Sequence, residues 1–374
     1  MKRRILALLL ALCLLTGTAL AADRAPTDAQ ITETVGSFAD LTGQKRGSVL
    51  GDRTVLPAGS AVSDWTAMAL ALSGARDDYG AYLAALRDEV EEQYAENGGL
   101  DKIRATEYHR IALTVLALGG DPTSFGTDGE PIDLIADGTY NFAGDSLGTQ
   151  GLNGWIFALI ALDASGAAVP ADARFSRETM VSAILSAQEA DGGFGLTAGS
   201  SDADLTAMAL QALAPDRAQY GAELDRALTY LSGQMSDSGA FPSGGTENAE
   251  TTAQVILALC ALGIDPAADA RFQKGEQTPL TGLRQFRLAD GSYVHTAADG
   301  EGNLMATEQA LLALLALQRL QNSQNRLYDF SNYDGPASSG VATWIWIAAG
   351  AAALCTAGIW FAARKRRQHA KTDR

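Results

Sequence analysis

The sequence is short of the residues that staple a fold or hold a metal. It has three cysteines and three histidines among 374 residues. Cys13 and Cys355 fall in the two long apolar runs at the ends, so Cys260 is alone between them and an intrachain disulfide there is excluded. The part between must be held by its own core. Positive charge is scarce as well. Lys2, Arg3 and Arg4, with six Lys or Arg after residue 363, leave the body 19 basic against 43 acidic side chains, a net charge of −24. So acidic a body repels phosphate backbones, which excludes a nucleic-acid partner. No strand-period pattern competes with the helical one. With 47% hydrophobic and 19% charged residues, the chain is not a disordered one.

The ends come first among the features that are present. Residues 1–21, MKRRILALLLALCLLTGTALA, join a cationic start, a leucine-rich run and a small-residue ending at Ala19-Leu20-Ala21. Those are the parts of a secretory signal peptide cleaved near Ala21. Residues 341–363 are an uncharged apolar run, long enough at ~1.5 Å per residue to cross a hydrocarbon layer of roughly 30 Å. Trp344, Trp346 and Trp360 lie near its ends, and Arg364-Lys365-Arg366-Arg367 follows. The expectation is a single-pass protein of a bacterial cell membrane, with the body outside and the basic tail 364–374 inside. Residues 319–340, polar with Pro336 and several Ser and Gly, predict a stalk between body and membrane.

Within the body, residues 22–318, six segments share one pattern: a polar lead-in, then an Ala/Leu-rich helix. They run Ser63–Leu72, Ala105–Pro122, Leu152–Gly166, Ser201–Pro215, Ala249–Pro266 and Ala306–Leu317, with equivalent positions near 67, 109, 153, 207, 253 and 310. TAMAL recurs in the first and fourth, and LG-x-DP closes the second and fifth. More amphipathic partners are predicted at 29–41, 78–97, 131–138, 176–190, 216–234 and 279–289. Helices apolar nearly all round belong inside and one-faced helices outside. Six of each, repeating about every fifty residues, can close into a ring. Between units stand DGGFG (191–195), SGAFPSGG (238–245) and DGSYVH (290–295). In each, glycine is expected to supply a left-handed turn and the aromatic residue to fold back into the gap between repeats.

These units resemble the repeats of the α/α toroid proteins: terpenoid and squalene cyclases, protein prenyltransferase β subunits and vitamin B12 carrier proteins. Gln188-Glu-Ala-Asp-Gly192-Gly-Phe194 is similar to the Q-x3-G-x-W motif of triterpene cyclases, with Phe in place of Trp. The resemblance covers roughly residues 28–318 and implies an all-α, α6/α6 toroid followed by one transmembrane helix. Since the fold hosts both catalysts and binders, it does not choose between them.

Asp202-Ala203-Asp204-Leu205-Thr206-Ala207 is similar to the D-x-D-D-T-A segment with which class II terpenoid cyclases protonate an alkene. The resemblance implies Asp204 as the acid and Asp202 as its neighbour, with Leu205 where the third carboxylate would be. The other repeats suggest a plainer role. Asp64 and Glu250 also stand three before the repeat's Ala, where a carboxylate can cap a helix, and the cap is the reading we favour for Asp204. The Asp/Cys/His zinc set of prenyltransferases is not to be had from Cys260, His109 and His295, and no metal or cofactor is expected. Lys274-Gly275-Glu276-Gln277 is similar to a C-G-E-Q thioester motif but lacks the thiol. Trp65, Tyr108, Trp155, Phe194, Phe241 and Tyr293 stand at repeat mouths and are the candidate ligand-lining aromatics. The function expected is a non-catalytic, membrane-anchored surface module that binds a small apolar or corrinoid-like ligand. The alternative is a terpenoid cyclase with Asp204 as general acid.

Overall fold

A computed structural model describes residues 27–127 and 131–336. The expected signal peptide, membrane span and basic tail lie outside the described residues. Among the described residues no helix is long and apolar enough to cross a membrane.

The Ala/Leu-rich segments form the helices α2 (Ala61–Leu72), α4 (Ala105–Ala117), α6 (Leu152–Ser165), α8 (Ala203–Leu213), α10 (Ala249–Ala261) and α12 (Leu304–Gln321). Before and between them run α1 (27–42), α3 (Tyr79–Asn97), α5 (Leu134–Gly138), α7 (Arg177–Ser186), α9 (Gly221–Gln234) and α11 (Pro279–Arg284). Helices α2, α4, α6, α8, α10 and α12 each pack on the next, and α12 packs back on α2. That order is a closed inner ring. Its alanines explain the tight spacing: Ala67, Ala112, Ala158, Ala207, Ala253 and Ala310 are wholly buried, and small side chains let helix backbones approach closely. Helices α3, α5, α7, α9 and α11 lie against α2, α4, α6, α8 and α10. Helix α1 joins the last unit, where Gln318 donates to Asp28 (2.7 Å) and Arg287 pairs with Glu33.

Side-chain caps fix where many helices begin. Ser60, Asp78, Ser176, Asp202, Asn248 and Asn303 each accept a hydrogen bond from the backbone N–H three residues on. A cap of this kind is worth about 1 kcal/mol.

The glycine-aromatic loops are one device used three times. Gly192, Gly239 and Gly291 have φ of 88–92°, and a Cβ on any of them would come within 2.6 Å of a backbone carbonyl, of Arg226 on α9, Thr278 before α11 and Glu33 on α1 respectively. Only glycine fits so close an approach. Phe194, Phe241 and Tyr293 follow, each no more than 1% exposed. Two of the loops become short antiparallel hairpins, β1 (Phe194–Gly195) with β2 (Ser201–Asp202) and β3 (Phe241–Ser243) with β4 (Thr246–Asn248).

Several boundaries differ from the sequence reading: α5 begins at Leu134 rather than 131, α7 ends at Ser186 rather than 190, and α9 begins at Gly221 rather than 216. Helix α11 stops at Arg284 because Leu288 N–H bonds Ser292 O (2.8 Å) and Val294 N–H bonds Phe286 O (2.9 Å), closing a turn where another helical turn was expected. The expected stalk also begins too early at 319. Helix α12 runs to Gln321, and residues 322–336 lie on the ring as a strap. Leu327 is buried, Tyr333 donates to Ala117 O at the end of α4 (2.9 Å), and Arg319 donates to the carbonyls of Arg326 and Leu327.

Candidate functional site

The first turns of the inner helices carry an unusual set of carboxylates. Asp202 is the N-cap of α8: one oxygen accepts from Leu205 N–H (2.9 Å) and the other from the Ser243 hydroxyl (2.9 Å). Asp204 is therefore not the cap, contrary to the sequence reading. It is the second residue of the helix, and its Oδ1 is shielded from solvent with no hydrogen-bond partner. Burial, with the charges of Asp202 and Glu250 nearby, pushes its carboxyl up to about 7. Asp64 and Glu250 are not caps either. Ser60 and Asn248 take that role, and Asp64 sits fourth in α2 while Glu250 sits second in α10.

Asp64 does something different from Asp204. It is wholly buried and accepts from Arg110 Nε (3.0 Å), Tyr82 Oη (2.7 Å) and Gly59 N–H (3.0 Å). Arg110 spends its remaining donors on Glu107 (2.7 Å) and Gly59 O (2.7 Å), so its charge is used within this network. The pair locks α2 to α4.

Glu308 is the member that the sequence did not single out. It is 1% exposed, accepts from Thr66 Oγ1 (3.1 Å), and is held well above the usual carboxylate range by burial and by the charges of Glu250 and Asp64. Asp204, Glu250 and Glu308 thus follow one another on α8, α10 and α12, each within electrostatic reach of the next. Their one basic neighbour in hydrogen-bond contact is His295, whose Nδ1 lies 2.8 Å from Glu250 Oε2.

Of the six aromatic candidates, only Trp65 meets another side chain across the ring. It meets Phe157 edge-on at 6.1 Å. Helices α2 and α6 are not neighbours in the ring, so this contact runs through the interior. The other five pack elsewhere. Tyr108 sits between Tyr94 and Phe142, with its hydroxyl accepting from Leu100 N–H (2.8 Å). Trp155 packs on Phe175. Phe194, Phe241 and Tyr293 are sealed under their loops. Phe157 was missed because it stands in an unbroken apolar run that gives no hint of facing inward.

A chain of amides links three consecutive inner helices: Gln211 Nε2 donates to Gln254 Oε1 (2.7 Å), and Gln254 Nε2 to Gln309 Oε1 (2.6 Å). His109, in contrast, is buried away from the site. Its Nε2 is 2.6 Å from Gly138 O, and burial lowers it to about 4, so it is neutral. Lys274 and Gln277 form a tight turn through two backbone hydrogen bonds, a purely local structure.

Comparison with known protein families finds no match, and neither does comparison with curated proteins. Solved structures do match. The chain aligns with protein geranylgeranyltransferase-I of Candida albicans, solved with GGPP, at a TM-score of 0.53 and 12% identity over 81% of this chain and 96% of that one. The fold is an α/α toroid. It also aligns with a type II terpene cyclase from Scytonema at a TM-score of 0.48 and 12% identity, over 79% of this chain and 99% of that one. The toroid fold is thus one that this chain shares with the geranylgeranyltransferase structure.

Proposed function

We propose that this toroid is a cell-surface binding module that takes a small organic cation in the acidic bowl at the start of its inner helices and returns it unchanged. Export by residues 1–21 and anchoring by 341–363 belong to the same proposal. The observation that carries it is the bowl's composition. Asp204, Glu250 and Glu308 lie on consecutive inner helices within electrostatic reach of one another, His295 is the one basic group among the described residues in hydrogen-bond contact with them, and Trp65 meets Phe157 across the ring interior. Carboxylates and aromatic faces together recognise organic cations, each through electrostatics that a neutral ligand does not repay. Against a polyene substrate stands Leu205, which removes the third carboxylate of the cyclase segment.

One observation favours the alternative: a carboxyl raised to about 7 is partly protonated at neutral pH, as a general acid must be. Two experiments on the full chain in lipid nanodiscs separate the readings. Calorimetry at pH 8 should show one benzyltrimethylammonium bound per ring, about tenfold weaker in Asp204→Asn, with benzyl alcohol not binding. Cyclised product from squalene or geranylgeranyl diphosphate, abolished by Asp204→Asn, would instead establish the cyclase.

A further inference from the structure

The opposite end of the ring holds an enclosed space that the acidic bowl does not explain. The C-terminal turns of α6, α8, α10 and α12 and the strap 322–331 bound a cavity of about 390 Å³. That size is within the roughly 300–1,000 Å³ of small-molecule sites. Its walls on the helices are largely apolar, including Ile160, Leu257 and Leu320, with the Cys260 thiol among them, while the strap adds Arg326 and Tyr328.

The cavity contains a polar group with one side unused. Gln211, on α8, is 8% exposed and lines it. Its Nε2 donates to Gln254 Oε1 (2.7 Å) and lies 3.4 Å from the carbonyls of both Ala207 and Gln254. Two carbonyl oxygens on that side fix which amide atom is nitrogen, since an oxygen there would face two others. Gln211 Oε1 therefore points the other way, and no hydrogen bond reaches it from the described residues. The side chain is largely buried, and an acceptor that no protein donor reaches can take one from a molecule in the cavity.

We propose that this cavity is a second ligand site, for a mainly apolar molecule that presents a hydroxyl or similar donor to Gln211 Oε1, with the strap as its outer wall. The proposal is independent of the acidic bowl, which lies at the other ends of the same helices. The ligand's apolar body gains from leaving water against Ile160, Leu257 and Leu320. Its donor supplies the bond that the amide lacks, so an otherwise similar molecule without a donor should bind less well.

The test is calorimetry on the full chain in nanodiscs, with empty nanodiscs subtracted and 1-naphthol and 1-methoxynaphthalene as probes. The expected result is saturable binding of 1-naphthol, with 1-methoxynaphthalene about tenfold weaker and Gln211→Leu removing the difference between them. Leu320→Trp, which fills the cavity, should abolish binding of both. Should that variant lose its circular dichroism, Ala261→Phe fills the same space. Absence of binding, equal binding of the two naphthalenes in the unaltered chain, or binding that survives in the filled variant would each overturn the proposal.

Discussion

At the scale of single residues, two acids with similar sequence surroundings are both raised by burial but differ in how far that burial is compensated. Asp204 has a folded carboxyl near 7 against an ordinary value of 3.8. A raised carboxyl favours the folded state only while it is protonated, so its contribution is intact below about pH 4 and is lost as pH rises through 7. Asp204→Asn cannot ionise. It should leave stability unchanged at pH 4 and raise it by roughly 2–4 kcal/mol at pH 8 in chemical denaturation. Unchanged stability at both pH values would mean that Asp204 is solvated. Burial raises the Asp64 carboxyl as well, but three donors, Arg110 among them, oppose that rise. Arg110→Met removes its cation and strands the charge in the core, so unfolding free energy should fall by about 3–5 kcal/mol, measured the same way. The sequence shows both acids but not this difference. Spacing from the repeat's alanine treats Asp64, Asp204 and Glu250 as equivalents, whereas helix α2 starts two residues earlier relative to its acid. Where the first helical turn begins is set by the caps Ser60, Asp202 and Asn248.

At the scale of elements, the repeated unit is more specific than its Ala/Leu content suggests. Thr206, Thr252 and Thr307, each fourth in its helix, accept the backbone N–H of Phe194 (2.9 Å), Phe241 (3.0 Å) and Tyr293 (3.0 Å). Each hydroxyl then donates to the carbonyl of its own N-cap residue, at 2.6, 2.8 and 2.7 Å. One threonine thus ties a glycine-aromatic loop to the start of an inner helix. Thr252→Val keeps the shape but leaves a buried N–H without an acceptor. It should cost about 1–3 kcal/mol, and a cost below a few tenths would show that the loop is held otherwise. The inner helices, the turns at Gly192, Gly239 and Gly291, and the aromatic plugs were all legible, because composition and periodicity are local signals. The recurring Thr-Ala at 206–207 and 252–253 marks two of these threonines, but Thr307 precedes Glu308 and the Thr66 of a third Thr-Ala bonds Glu308 instead, so the role was not legible: the partner N–H is set by loop geometry. Short outer helices such as α5 and α11 were read too long. Their ends are fixed by backbone turns that an apolar pattern does not record.

At the scale of the whole ring, closure of α12 on α2 makes two ends with different chemistry. Residues at the start of the inner helices bring the carboxyl groups of Asp204, Glu250 and Glu308 within electrostatic reach of one another, while the far end carries the strap and the Gln211 cavity. Neither convergence can be read along the chain: Trp65 and Phe157 are 92 residues apart in number, and Thr66 and Glu308 242 apart. Only the ring makes neighbours of them. The central claim is that the carboxylate of Asp204 helps to hold a cation in the bowl, and the direct measurement is benzyltrimethylammonium affinity as a function of pH in the full chain. Binding needs the ionised acid, so the dissociation constant should fall about tenfold between pH 5.5 and 8.5, with its midpoint near 7, and Asp204→Asn should flatten that dependence. Affinity that does not change with pH, or that changes equally in the variant, would contradict the account.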